Sequence, residues 1–364
     1  MDIDKPNASL QRHWYASFCN DNEIDRILTP QSPKDFLLQE RANIVADHTR
    51  FLRVYMNKAR VFRNWSFEKS FSEVHYHNVL NHLTPEDFAA CQHITFGDMF
   101  SNDVNGYARK DPKWGRIISL NESLQFFMKF CNLALLDYEK EVPLRIRFNA
   151  LRIAIRTILK VEAMDFFMDP RGTVPESIGK KIHAPIKHEL QFIAGHEFAH
   201  HICGHLNDNN ITQKSVLRIN EKDYFAPVYN VFQKQEFEAD IASLQRPIYS
   251  TEELCNLLYG AFLWFISLDL GELALDMICP SFGIKTHPNA NERIKNILNN
   301  VDIPTEFDHD VINKHLETAK LLRDLLADDI STNFEFYEFY GSAYLDAPNT
   351  EWRGMELIDR VDYY

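Results

Sequence analysis

Leu254 to Leu268 (LCNLLYGAFLWFISL) is apolar on nearly every side of a helix, so the rest of the chain has to be arranged to cover it. A helix of this kind sits either in a bilayer or in a protein core. Spanning a bilayer takes about 20 apolar residues. This run has fifteen before Asp269, and Glu272 and Asp276 follow within two further turns. A buried core helix is the reading that the length supports.

At 364 residues the chain has room for two ordinary domains, or for one large domain with an extension. It is 45% hydrophobic and 25% charged, which is globular and too apolar for wholesale disorder. The net charge of −13, from 52 acidic and 39 basic side chains, argues against a nucleic-acid backbone or an anionic membrane surface as the main partner. Met1 to Pro6 has no basic n-region leading into an apolar segment, so no secretory signal is expected. Cys19, Cys91, Cys131, Cys203, Cys255 and Cys279 are scattered without a CxxC pair. Free thiols in a reducing cytoplasm are the expectation.

Along the chain, apolar spacing over residues 36–62 predicts one or two amphipathic helices in an N-terminal extension, residues 1–110. His75, His77 and His82 match no ligand motif and are read as surface and packing residues. Gly115–Leu120 reads as a strand, followed by a helix from about Glu122 to Tyr138 and a second from Pro143 to Met168. These are scaffold on the plain reading. The sharper alternative makes the strand a sheet edge on which an extended peptide is laid. Residues 211–231 suit a loop or hairpin, and 307–327 a helix. The acidic, aromatic stretch at the C-terminal end is expected to dock on the protein's own surface.

The chemistry concentrates in Gly195-His196-Glu197-Phe198-Ala199-His200, on a helix that Pro185 is predicted to start and Gly204 to end. Residues four apart share a helix face, so His196 and His200 can bind one zinc ion. Glu197 lies beside them, placed to take a proton from water. A third ligand is needed. The HExxHxxGxxH pattern is excluded, because its last two positions are Cys203 and Leu206. Downstream, Glu236 and Asp240 share a face of the helical segment Gln235–Ser243. Glu236 could complete a His2Glu site and Asp240 could orient an imidazole. Such a run alone equally suits a solvated charged face.

Taken together, HExxH, then ExxAD 36 residues after His200, then Thr286-His287-Pro288 and Glu292-Arg293-Ile294 resemble the gluzincin metallopeptidases. The resemblance is to the family of the CAAX prenyl endopeptidases and the bacterial heat-shock membrane metalloproteases, over roughly residues 115–300. It implies one Zn2+ per chain held by His196, His200 and Glu236, with Glu197 as general base and Asp240 behind a liganding histidine. His287 either packs beside Pro288 or stabilises an oxyanion. Arg293 is expected to pair with an acidic residue near the zinc helices. Phe232-Gln233 stands where that family has Ser-Arg, and no pair of spanning helices flanks HExxH. Membrane-embedded substrates are therefore not carried over. HEFAH also resembles the Lit-type phage-exclusion peptidases, which act on a host protein.

The expectation is a mainly α fold with a small β-sheet (α+β): a helical N-terminal extension (1–110), a zincin-like domain (111–300) and a C-terminal helix with its tail (301–364). The expected activity is zinc-dependent hydrolysis of a protein or peptide substrate, in a regulatory or phage-defence role. The alternative is a zinc-containing binding or regulatory module without turnover.

Overall fold

Local caps account for much of the N-terminal region. The computed structural model describes residues 8–138, 141–206, 213–215, 226–280 and 288–345. Its first six helices are α1 (Ala8–Tyr15), α2 (Asp21–Leu28), α3 (Pro33–Asp47), α4 (Thr49–Val61), α5 (Val74–His82) and α6 (Pro85–Cys91). Asn20 and Glu23 close a reciprocal capping box on α2. Ser32 and Thr84 cap α3 and α6, each just before a proline suited to the first helical position. The helical stretch predicted over 36–62 is two helices, divided at His48, whose extended backbone interrupts the ladder.

A small sheet follows, of order β1-β3-β2-β4, from β1 (Thr95–Phe96), β2 (Gly106–Asp111), β3 (Gly115–Leu120) and β4 (Gln213–Ser215). β2 and β3 run antiparallel from Gly106 opposite Leu120 to Asp111 opposite Gly115. β3 stands where the sequence predicts a strand, but it is interior. β1 pairs with it in parallel on its other flank, so it offers no edge to a substrate. A domain boundary at residue 110 would cut through β2, and one hydrophobic core runs from Tyr15 to Leu345. The N-terminal helices therefore share the core of the rest.

α7 (Ser123–Leu135) and α8 (Leu144–Ile158) pack against each other. α8 ends ten residues short of the predicted Met168. Lys160 takes φ +64°, and the N–H groups of Val161 and Glu162 both donate back to the Arg156 carbonyl. The turn serves a buried ion network that helical periodicity does not reveal. Arg171, fully buried, reaches Glu162 at 2.8 Å, Asp165 at 2.7 Å and Asp169 at 2.8 Å. Onto this network the C-terminal stretch docks: Ala343 N–H donates to Glu162, and Tyr337 and Leu345 are buried. Residues 346–364 lie outside the described residues.

α9 (Glu176–Ile202) is the axis of the molecule, about 40 Å long at 1.5 Å per residue. Pro185 sits inside it rather than at its start. An interior proline costs roughly 3 kcal/mol. Burial of Ile178 and Ile182 on the preceding turns offsets this, at about 1.5–3 kcal/mol for each side chain. α10 (Ala226–Gln245), α11 (Thr251–Ile278), α12 (Ala290–Asn300) and α13 (His309–Thr332) complete the fold. α11 carries the apolar run and lies between α9 and α13, with Trp264 fully buried. Among the described residues no helix is long and apolar enough to cross a membrane. The protein is mainly helical with one small sheet, and its six cysteines are free.

Candidate metal centre

Two buried helices meet where the chemistry-bearing residues lie. The last turns of α9 carry His196, Glu197 and His200, each no more than 1% exposed, and α10 brings Glu236 and Asp240 against them, equally buried. The Nε2 atoms of His196 and His200 are 3.0 Å apart. Glu236 faces both, 3.2 Å from His196 Nε2 and 3.5 Å from His200 Nε2. The three side chains form one group whose ligand atoms lie within 4.8 Å of one another.

The protons decide what this group can hold. His196 Nδ1–H donates to Asp240 Oδ1 at 2.9 Å, so the nitrogen that faces Glu236 is Nε2. Behind Asp240 lies Arg293, from the first turn of α12, with Nε at 2.8 Å and Nη2 at 2.5 Å. A capping box formed by Asn289 and Glu292 starts that helix. Asp240 and Arg293 neutralise each other, and Glu236, 3.9 Å from the same guanidinium, and Glu197 add two further buried carboxyls. Burial lowers the pKa of His196, yet the hydrogen bonds that its ring donates to Asp240 and Glu236 outweigh it and hold it up at about 9. The cluster thus draws positive charge inward. Two imidazoles and a carboxylate converging on one point could hold a divalent cation in place of that proton.

Glu197 lies beside that point. Burial pushes its carboxyl up to about 8, His196 and Arg293 acting against the shift and Glu236 with it. Among the described residues neither oxygen has a hydrogen-bond partner of good geometry, the Ala108 N–H of β2 being the donor that acts on the carboxyl. β2 passes directly over it: a Cβ built on Gly106 would sit 3.1 Å from Glu197 Oε1 and 2.6 Å from Leu120 Cδ2. Only glycine lets the strand approach this closely. The strand next to the site is therefore β2, whose outer flank β4 pairs over Tyr107–Arg109.

No family model, curated protein or solved structure matches this chain.

Of the residues singled out from sequence, His196, His200, Glu236 and Asp240 come together, and Glu197 lies alongside. His287 falls outside the described residues. His75, His77 and His82 lie elsewhere: His75 is buried 2.8 Å from Asp98, and His82 meets Glu253 at 3.0 Å.

Sequence reasoning missed His205. α9 ends at Ile202 with Cys203 as its C-cap, and Gly204 then takes φ +76°. His205 N–H donates to the His200 carbonyl at 2.9 Å, and Gly204 N–H to that of His201 at 3.3 Å. This is a Schellman ending. It folds the chain back so that His205 Nδ1 meets His200 Nδ1 at 2.8 Å, while His205 Nε2 faces Glu238 at 3.2 Å. With His200 ligating through Nε2, its Nδ1–H donates to His205, whose own proton then sits on Nε2 toward Glu238. Gly204 after HExxH was the available signal, since a helix-ending glycine also sets where the next residue returns.

Proposed function

We propose that this chain is a zinc-dependent endopeptidase of the gluzincin kind, with His196, His200 and Glu236 as ligands and Glu197 as general base. The observation that carries this reading is the pairing of a buried His-His-Glu ligand group with a second buried carboxyl, Glu197, that has no side-chain partner among the described residues. A purely structural zinc site uses four protein ligands and has no need of a base. Among the described residues three ligands converge, which leaves a fourth position for solvent or substrate.

Bound zinc supplies Lewis acidity, lowering the pKa of water toward about 7 and polarising a carbonyl. Glu197 contributes the proton traffic. It accepts a proton from the attacking water on one carboxyl oxygen, and the water oxygen bonds to the scissile carbonyl carbon. It then gives the proton to the departing amine as the C–N bond breaks. The Glu197 carboxyl would be drawn down by a bound cation from the raised value that burial gives it, toward the range in which it can both take and return a proton. Asp240 and Arg293 hold the His196 ring and its tautomer, and His205 does the same for His200. The protein substrate and the regulatory or phage-defence role rest on the sequence resemblance alone.

The test is a proteome-wide count of new N-termini, after zinc-loaded wild type and Glu197→Gln are each incubated with cytoplasmic lysate. Their metal content is measured in parallel. A peptidase gives a few cut sites with wild type that vanish in a variant still holding one zinc. Equal patterns from two metal-loaded proteins would sink the peptidase reading and favour a zinc-bearing binding module.

A further inference from the structure

The Schellman ending that returns His205 to His200 also gathers a second set of ligand types on the outer side of that pair. A Cys203 sulfur, a His205 ring nitrogen and a Glu238 carboxylate oxygen lie within 4.8 Å of one another. His205 is buried, Cys203 is half-buried and Glu238 opens to solvent, which gives an ion a way in. Cys203 and His205 are fixed by the helix ending rather than carried on a long loop, and Glu238 stands on α10, the helix that also carries Glu236. The group is anchored by regular structure on two sides.

We propose that Cys203, His205 and Glu238 form a second binding site for a borderline-soft divalent cation such as zinc. Thiolate and imidazole are ligands that such ions favour, and thiolate with carboxylate supplies two negative charges against the ion's two positive ones. Binding forms the sulfur–metal bond and releases the Cys203 thiol proton to solvent. The ligating nitrogen of His205 is Nε2, since Nδ1 is turned toward His200. Three protein ligands leave one tetrahedral position for water.

The two sites are linked through that histidine pair, a consequence that rests on the reading of His200 as a ligand of the first site. A metal on His205 Nε2 obliges Nδ1 to carry the proton. A metal on His200 Nε2 obliges its Nδ1 to do the same. Two N–H groups then confront each other where one hydrogen bond stood at 2.8 Å. The rings have to separate, so filling either site weakens the other.

Cobalt(II) is the probe, because a thiolate ligand gives an intense sulfur-to-metal absorption that histidine and carboxylate ligands lack. The first site has no sulfur, so that band reports the second site alone. Full-length wild type with its first site filled by zinc, His196→Ala and Cys203→Ser are titrated with cobalt. The band should appear in the first two proteins and be missing from Cys203→Ser. Its midpoint should fall at least about tenfold lower in His196→Ala than in zinc-filled wild type, the scale on which neighbours of a metal ligand act. No band in either wild type or His196→Ala overturns the site. A band of unchanged strength in Cys203→Ser places the ion on another cysteine and overturns it too. Equal midpoints in wild type and His196→Ala overturn the linkage. If Cys203→Ser does not fold, Glu238→Gln takes its place, and a band that it leaves unshifted counts against the site. Failure of the peptidase reading would show separately, in the N-terminus count, and would leave the thiolate band untouched.

Discussion

Arg293 grips Asp240 through two nitrogens, Nε on Oδ2 at 2.8 Å and Nη2 at 2.5 Å on Oδ1, the same oxygen that His196 Nδ1 meets at 2.9 Å. All three side chains are buried, so the carboxylate is shared between a cation and an imidazole with no water to compete. Removing the cation leaves a buried negative charge with one weak donor. Arg293→Met should lower stability by about 3–5 kcal/mol, the scale of a broken buried ion pair. Asp240→Asn should keep more of the fold and weaken zinc binding by about 10–100-fold. Urea unfolding together with a competitive zinc titration checks both, and equal zinc affinity in wild type and Asp240→Asn would count against the orienting role.

Gly106 tests how closely β2 must lie over the general base. A methyl group there would meet Leu120 Cδ2 at 2.6 Å and Glu197 Oε1 at 3.1 Å. Gly106→Ala should cost roughly 1–3 kcal/mol by overpacking and displace Glu197. Turnover should drop more steeply than zinc content, which the same N-terminus assay and metal analysis can compare.

Metal removal should act on the fold itself, because the ligand group lies between two core helices. Stripping zinc with a chelator should lower the melting temperature, and adding it back should restore it, since a ligand bound only by the folded state stabilises by mass action. Ligand concentrations near 100 Kd correspond to about 2.7 kcal/mol. The shift should shrink sharply in Glu236→Ala combined with Cys203→Ser, which removes a ligand from each metal group. A full-sized shift in that variant would place the stabilising metal elsewhere.

Glu189 gives a pH signature separate from the metal centre. It is fully buried on α9, accepts a hydrogen bond from Asn132 at 3.0 Å, and burial pushes its carboxyl up to about 8. An unfolded glutamate titrates near 4.3. Between those values the folded state holds a proton that the unfolded state has lost. Its contribution to stability is therefore complete below about pH 4 and is lost as pH rises through 8. One proton is worth up to about 1.4 kcal/mol per pH unit in that window. Glu189→Gln, measured by denaturant unfolding at several pH values in zinc-loaded protein, should flatten the decline. An unchanged slope would show that Glu189 is ionised in the folded protein.

Much of this was legible in the sequence because it is set by local spacing. The i, i+4 placement of His196 and His200, the shared face of Glu236 and Asp240, and the buried fate of Leu254–Leu268 each follow from helical pitch and apolar content. The pairing of Arg293 with an acid was expected only through the resemblance carried by Glu292-Arg293-Ile294. Other features depended on contacts between distant segments. β3 is interior because β1 pairs with it, α8 stops at Ile158 because a buried ion network forms beyond it, and Pro185 is carried inside α9 by the packing of the turns before it. His205 shows the division most clearly. Gly204 announces that the helix stops, but only the folded backbone reveals that the next side chain returns to His200, because the direction of a chain after a helix end is fixed by which carbonyls its amides can reach.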